Sequence, residues 1–159
     1  MSESAALASK LRAEGEKVSQ FMANLSEDDW KAEVYAEGTT WSVRSVIAHL
    51  MTTERALLKL FDRIRRGGDG VSEDFSIDRY NASQQEKTRD VAQHEFIEIF
   101  VAGRERMIEF VAGLTSEDLD RRGRHPFLGM TTLRDMVKML YIHNQTHLRD
   151  VRRALRTES

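Results

Sequence analysis

Apolar side chains recur at intervals of three and four residues along four long segments of the chain. The segments run from about Glu3 to Asn24, from Ser42 to about Arg66, from about Ser83 to Ala112 and from about Thr132 to Arg156. This spacing places the apolar side chains on one face of a helix, as in amphipathic helices that surround a core. No stretch alternates apolar and polar residues over enough positions to predict a strand. The pattern therefore predicts an all-α protein.

Residues that cap or break helices mark the ends of the predicted helices. Ser42 can accept hydrogen bonds from the first backbone N–H groups of the second helix, and Thr132 begins a capping-box pattern at the fourth. Gly67 and Gly68 end the second helix, and a long polar connection follows as far as Asn81. A long connection at this point is typical of a four-helix bundle whose middle helices run parallel. We therefore predict an up-down-down-up four-helix bundle.

A short internal repeat is visible at an offset of 90 residues. Ser26-Glu27-Asp28 matches Ser116-Glu117-Asp118, and the segment 42–47 aligns with the segment 132–137. Two explanations remain open at this point. Amphipathic helices with similar caps resemble one another, and a chain built from two related helix–loop–helix halves would show the same match.

Composition limits the classes of protein to which the chain can belong. It has 159 residues, 40% of them hydrophobic and 31% charged, and we expect residues 1–159 to form a single domain. The formal net charge of −2 does not favour nucleic acid as a partner, and no apolar run is long enough to cross a membrane. There are no cysteines, which excludes disulfides, thiolate ligands and a cysteine nucleophile. The N-terminal residues lack a signal-peptide pattern, so we expect a cytoplasmic protein.

Two of the five histidines interrupt the apolar face of the fourth predicted helix. His143 and His147 stand where the stripe otherwise has aliphatic residues, one helical turn apart. Both rings project to the same side at this spacing, so two ring nitrogens can reach one metal ion. His49 lies beside the core-facing stripe of the second helix, which can pack next to the fourth. These three residues are candidate metal ligands. The alternative is that each is a core histidine with ordinary hydrogen bonds.

The other candidate polar residues have less support. His125 precedes the fourth helix, where we expect a solvated side chain that could line the mouth of the site. His94 lies off the apolar face of the third helix and is expected at the surface. Asp150 shares a face with the paired histidines and could be a general base, hold a histidine N–H or pair with an arginine. Glu54 points away from that face, and no residue is assigned as catalytic.

Three pieces of sequence in this order resemble the DinB-like family of metal-binding helical bundles. They are Trp41–Leu50, where a tryptophan and a capping residue precede an aliphatic helix with a histidine, His125–Asp135, which leads into the last helix, and His143–Leu148, with its His-x3-His pattern. The resemblance covers nearly the whole chain. It implies a four-helix bundle with a parallel middle pair and a divalent metal on His49, His143 and His147.

The same resemblance implies a range of activities. Members of the family are commonly dimers, and their relatives include thiol-dependent transferases and isomerases. The related maleylpyruvate isomerases have a glutamate where this chain has His143, so that activity is not supported.

A metal on three neutral histidines predicts an enzyme. Such a site leaves coordination positions open, which is typical of a reactive metal rather than a structural one. The metal could activate water for hydrolysis, or the thiolate of an external small thiol for transfer to a small-molecule substrate. Zinc and nickel both suit imidazole ligands. The alternative is a non-catalytic metal-containing bundle that binds a small ligand or is structural.

The third predicted helix favours a homodimer. It carries apolar residues on nearly every side between Phe96 and Val111. One bundle core cannot cover every side of a helix, so we expect a second face to meet another copy of the chain.

Overall fold

The computed structural model describes residues 1–158, with side chains through Arg156. Within this range the chain forms seven helices and four short strands. In chain order they are α1 (Glu3–Ala23), α2 (Glu27–Lys31), β1 (Glu33–Tyr35), β2 (Trp41–Ser42), α3 (Val43–Arg65), α4 (Ile77–Lys87), α5 (Gln93–Ala112), α6 (Ser116–Asp120), β3 (Arg122–His125), β4 (Gly129–Thr132) and α7 (Leu133–Glu158). The long helices α1, α3, α5 and α7 confirm the mainly helical fold that the apolar periodicity predicts.

The four long helices form a bundle in which each has two long neighbours. α5 lies between α1 and α3, and α7 contacts the same two helices. Apolar side chains fill the space between them in two clusters, one including Leu11, Phe61 and Met107 and the other including Val18 and Ile47. In the described part of the chain, none of the helices combines the length and apolar character that a membrane span requires.

A layer of buried polar side chains, here called the polar layer, separates the two apolar clusters. Each long helix contributes one residue at this level: Glu14 in α1, Glu54 in α3, Arg104 in α5 and Asn144 in α7. Arg104 donates to both oxygens of Glu54 at 2.6 and 3.1 Å and also donates to Glu14. The charges are therefore paired inside the bundle, as buried charges must be.

Two β-hairpins precede the helices α3 and α7, where the sequence predicts no strand. β1 pairs with β2 and β3 pairs with β4, both antiparallel. These strands have only two to four residues, too few for alternation to be visible in the sequence. The residue just before each hairpin also accepts a hydrogen bond from the start of the following long helix. Ala32 and Arg121 accept the first backbone N–H of α3 and of α7, both at 2.9 Å, and these groups would otherwise lack partners.

The predicted start of the third long helix is wrong. Instead of one helix over 83–112, the chain forms α4, breaks at 88–92 and resumes as α5. Arg44 stabilises the break because one of its nitrogens donates to the carbonyl groups of Thr88, Arg89 and Val91 at 2.9, 2.9 and 2.6 Å. An arginine 44 residues away in the sequence thus takes over backbone acceptors that a continuous helix would satisfy internally.

The two halves of the chain contain the same succession of elements. The first half has a long helix, a short helix, a hairpin and a long helix (α1, α2, β1–β2, α3), and α5, α6, β3–β4 and α7 repeat that order. Both short helices begin with a capping box, Ser26 with Asp29 and Thr115 with Asp118. The structure therefore favours two related halves over a chance similarity between capped helices.

Candidate metal centre

Three histidine side chains from two helices converge inside the bundle. His49 extends from α3, and His143 and His147 extend from α7. The Nε2 atom of His143 lies 3.1 Å from the Nε2 atoms of both His49 and His147. The rings stand at 70° to 85° to one another, so the nitrogen edges meet. The structure thus brings together the three residues that the sequence predicts as ligands, here called the histidine triad.

The spacing of the histidine triad fits a single metal ion. Ring nitrogens bind zinc at about 2.0–2.1 Å, which places two of them about 2.9–3.4 Å apart at octahedral or tetrahedral angles. The two measured Nε2 separations of 3.1 Å lie in that range, and the three candidate ligand atoms all lie within 4.8 Å of one another. The donor set therefore fits a divalent ion that accepts imidazole nitrogen.

Burial keeps the histidine triad in the protonation state that binds metal. Removal from water, reinforced by the neighbouring imidazoles, lowers the pKa of His49 to about 3. Burial likewise lowers the pKa of His147 to about 4 and lowers that of His143. All three rings are therefore neutral at pH 7, and a neutral imidazole offers the lone pair that a metal requires.

Tyr35 and Asp150 fix the orientation of the His147 ring. The Tyr35 hydroxyl donates to Oδ2 of Asp150 at 2.6 Å, and its oxygen lies 2.9 Å from Nδ1 of His147. The single hydroxyl proton goes to Asp150, so Nδ1–H of His147 donates to the hydroxyl oxygen. Nε2 of His147 then carries the lone pair that faces the other two rings. Asp150 thus acts on His147 through Tyr35, and burial with the Asp150 hydrogen bond raises the pKa of Tyr35.

Trp41 and Thr53 surround His49. The ring centroids of Trp41 and His49 are 5.2 Å apart, and the Thr53 hydroxyl oxygen lies 3.4 Å from Nδ1 of His49. Trp41 stands in β2 and Tyr35 in β1, so the first hairpin contributes a side chain beside each of two triad members. This hairpin therefore positions the site, a role that the sequence does not reveal.

His125 is buried, which corrects the expectation that its side chain is solvated. It is the last residue of β3 and is 5% exposed. Its Nδ1 accepts hydrogen bonds from the backbone N–H groups of Phe127 and Leu128 at 3.0 and 3.1 Å, which closes the turn of the second hairpin. Burial, with a contribution from His143, lowers the pKa of His125 to about 4. The residue was expected in a loop because the hairpin is too short to detect from its sequence.

An apolar cavity of about 270 Å³ adjoins the histidine triad. His49 and His143 both line it, so the triad is accessible from this side. Most of the other lining side chains are apolar and come from α3, α4, α7 and the loops around them, among them Leu57, Val71, Phe75, Ile77 and Met139. The described lining residues include no carboxylate, and the polar ones are His49, Thr53, Arg63, Tyr80, Asn81, His125 and His143.

The remaining candidates lie away from the histidine triad. His94 is exposed on α5, as the sequence predicts. Glu54 is directed at Arg104 and does not face the triad.

Tyr35 is the site residue that the sequence does not reveal, because an isolated tyrosine between predicted helices has no periodicity that would assign it to a site.

These features define a four-helix bundle with a three-histidine site between two of its helices. The model of the DinB superfamily matches residues 6–151, and the chain belongs to that superfamily. This confirms the resemblance identified from the sequence. No protein with a curated description matches the chain.

A solved structure extends the likeness to the whole fold. The chain is similar to YfiT from Bacillus subtilis, described as a probable metal-dependent hydrolase with an unusual four-helix bundle topology. The TM-score is 0.80 at 15% sequence identity, and the match covers 99% of this chain and 90% of that chain. At this identity the likeness confirms the four-helix bundle.

Proposed function

We propose that the protein is a divalent-metal-dependent enzyme with His49, His143 and His147 as its metal ligands. Its reaction is a hydrolysis or a transfer that uses an external small thiol, acting on a small molecule. The observation that carries this proposal is the convergence of three neutral Nε2 atoms beside a cavity that two of the rings line. Zinc and nickel are the ions we propose, since imidazole suits both.

The chain's own residues hold and orient the reacting groups. The histidine triad would bind the ion through Nε2, while Tyr35 and Asp150 keep the lone pair of His147 directed at it. A bound ion supplies Lewis acidity, which lowers the pKa of a bound water or thiol. A substrate in the cavity would be surrounded mainly by apolar side chains and would have less contact with bulk water, which strengthens polar interactions inside.

Two observations bear on the choice between hydrolysis and thiol transfer. The description of YfiT as a probable metal-dependent hydrolase favours hydrolysis. The absence of a carboxylate among the described lining residues favours thiol transfer, because hydrolysis usually needs a general base near the water. Assays of the zinc-loaded and nickel-loaded protein with p-nitrophenyl esters, and with 1-chloro-2,4-dinitrobenzene plus a small thiol, separate the two reactions.

The alternative function is a metal-containing bundle without turnover. It would be favoured if the fourth coordination position were filled by a protein side chain or sealed by apolar groups. The cavity beside His49 and His143 supports the enzyme instead, because it offers a ligand access to the triad.

The metal content of the purified, untagged protein tests the proposal. We expect near-stoichiometric metal in the wild type and almost none in a variant with His143→Ala and His147→Ala. His94→Ala is the matched control, since His94 is exposed and belongs neither to the triad nor to the cavity lining. Substoichiometric metal that survives the double substitution, also after zinc or nickel has been added, would overturn the three-histidine site.

We also infer that the helices run up-down-down-up. Arg134 at the start of α7 pairs with Glu3 at the start of α1 at 2.6 Å, which supports a parallel arrangement of these helices. Arg44 near the start of α3 lies 4.8 Å from the ring centroid of Phe96 near the start of α5, which supports a parallel middle pair. Distances between spin labels at the helix ends would test this.

The homodimer remains a prediction. Both α1 and α3 pack against α5. Val101 on α5 is 45% exposed and Ile142 on α7 is 50% exposed, so apolar contact surface remains. Light scattering at several protein concentrations tests the oligomeric state.

The single domain over residues 1–159 and the cytoplasmic location also remain predictions.

A further inference from the structure

The ring of His125 has a hydrogen-bond donor that the protein leaves unused. Two backbone N–H groups donate to its Nδ1, so Nδ1 carries no proton. The ring is neutral, and its one N–H is therefore at Nε2. Nε2 is buried and has no hydrogen-bond partner among the described residues.

An unused buried donor is costly, and native proteins retain few of them. His125 is 5% exposed and lines the same cavity as His49 and His143. Thr53, Tyr80 and Asn81 also line the cavity and carry acceptor oxygens, but none of them is a hydrogen-bond partner of Nε2 in this structure. Nε2 itself has almost no accessible surface, so an acceptor atom in the cavity reaches it after a small shift of the ring or its neighbours. A bound molecule with such an atom would then satisfy the donor.

The same tautomer rules out His125 as a fourth metal ligand. Its Nδ1 is occupied by the hairpin turn, and its Nε2 would have to lose a proton before it could bind an ion. His125 is thus a hydrogen-bond donor beside the histidine triad and not an extension of it.

We propose that the cavity binds a small, mainly apolar molecule whose carbonyl oxygen accepts a hydrogen bond from Nε2 of His125. The apolar body of the molecule would lie against side chains such as Leu57, Phe75 and Met139. An engineered cavity of about 150 Å³ holds benzene, so the 270 Å³ found here accommodates an aromatic ring with a short substituent. That this molecule is a substrate rests on the proposed function, whereas its binding does not require a metal.

The test compares two probes of nearly equal shape, acetophenone and ethylbenzene, which differ by the carbonyl oxygen. Their dissociation constants are measured by NMR titration on metal-free and zinc-loaded protein. The ratio of the two constants is compared between variants, because the different hydration of the two free probes then cancels.

Two substitutions separate the donor from the structural role of the ring. His125→Asn keeps an oxygen where Nδ1 accepts the two backbone N–H groups but has no donor at the Nε2 position. His125→Gln restores an N–H donor near that position. We expect His125→Asn to shift the probe ratio against acetophenone by about five- to tenfold, the effect of one lost neutral hydrogen bond, and His125→Gln to recover part of it.

If His125→Asn changes the ratio of the two dissociation constants in metal-free protein, the proposal is supported even when the protein binds no metal. Failure of the proposed metal-dependent function can therefore be told apart from failure of this proposal. A ratio that His125→Asn leaves unchanged but that zinc removal shifts would assign the carbonyl to the metal and overturn the role of His125. Failure of both probes to bind would overturn the cavity as a ligand site.

If the variants do not fold, an NMR measurement on the wild-type protein tests the same hydrogen bond. Two-bond ¹H–¹⁵N correlations of the histidine rings identify the tautomer of His125, and acetophenone should move its Nε2–H resonance downfield. A proton on Nδ1, or an Nε2–H resonance that saturating acetophenone leaves in place, would contradict the proposal.

Discussion

The hydroxyl oxygen of Tyr35 lies 2.9 Å from Nδ1 of His147, although the two residues are 112 positions apart in the sequence. Tyr35 belongs to the hairpin of the first half of the chain and His147 to the last helix of the second half. The first half thus contributes one member of the histidine triad directly and orients another. Assembly of the complete site therefore requires that the two halves pack correctly.

Replacement Tyr35→Phe should weaken metal binding about 10- to 100-fold, as loss of the partner of a metal-binding histidine typically does. The substitution removes the acceptor of the His147 Nδ1 proton and leaves the ring free to change tautomer or rotate. Competition with a chelator of known affinity measures the effect. Tyr141→Phe is the matched control, because Tyr141 lies half-buried on the same helix as His147. Equal affinities of the two variants would show that Tyr35 does not orient His147.

The metal-free protein should lose stability as the pH falls from about 6.5 to about 4. Burial lowers the pKa of His125 to about 4 in the folded protein, whereas an unfolded chain has a histidine pKa of about 6.5. The unfolded state therefore takes up the proton first, and the contribution of neutral His125 is complete above pH 6.5 and lost towards pH 4.

Urea unfolding of the metal-free protein between pH 7.5 and 4.5 measures this loss. Compared with the wild type, the free energy of unfolding of His125→Asn should fall by about 2–3 kcal/mol less over this range. His94→Asn, at an exposed position, is the control for replacing a histidine by asparagine. Burial also lowers the pKa of each member of the histidine triad, so the triad and the carboxylates lose stability in the same pH range. They are present in all three proteins, and the comparison between variants isolates His125. Parallel stability curves for wild type and His125→Asn would contradict the buried neutral ring.

Replacement Arg104→Met should destabilise the fold by about 3–5 kcal/mol, because it leaves two buried carboxylates without their common partner. The side chains of Arg104 and Glu54 are only 4% and 2% exposed. Arg12→Met is the matched control, since the pair of Arg12 and Glu105 joins α1 and α5 as Arg104 and Glu14 do, but both of its side chains are about half exposed. Such a surface pair contributes about 0–1 kcal/mol. Denaturant midpoints of the two variants should therefore differ clearly, and similar midpoints would mean that the buried charges are not held as an ion pair.

Replacement Gly70→Ala should destabilise the segment that borders the cavity. Gly70 has a φ of +94°, and a Cβ there would lie 2.3 Å from the backbone nitrogen and oxygen of Arg124. Gly67 has a similar φ of +100° but open space around it, so Gly67→Ala measures the conformational strain alone, about 1–2 kcal/mol. The further steric clash should make Gly70→Ala more destabilising by about 1–3 kcal/mol. Urea unfolding of both variants tests this, and equal losses would mean that the loop moves away from β3 without cost.

The long helices and the histidine triad are predictable because their signals repeat along the chain. Apolar residues at helical spacing define α1, α3, α5 and α7, and two histidines one turn apart within such a stripe must share a face. His49 could be added because only a neighbouring helix can supply a third ligand to that face.

The missed features depend on contacts between distant residues. The break before α5 depends on Arg44, whose guanidinium satisfies three carbonyl groups, and nothing in the local sequence of 88–92 reveals this. The two hairpins are too short to show alternation, so the burial of His125 and the contact of Tyr35 with His147 could not be predicted. Tertiary hydrogen bonds rather than local preference determine these positions.

The offset of 90 residues between α3 and α7 relates each member of the histidine triad to a residue on the opposite helix. The counterpart of His49 is Met139, and the counterparts of His143 and His147 are Thr53 and Leu57. All three counterparts line the apolar cavity. The repeat therefore gives α3 and α7 two equivalent sets of three positions. One set carries the imidazole nitrogens of the histidine triad, and the other carries mainly apolar side chains. The remaining cavity lining includes Val71, Phe75 and residues of α4, which belong to the connection between the halves and have no counterpart in the repeat. The asymmetry between the two sets of positions therefore comes from this connection as well as from the six side chains on α3 and α7.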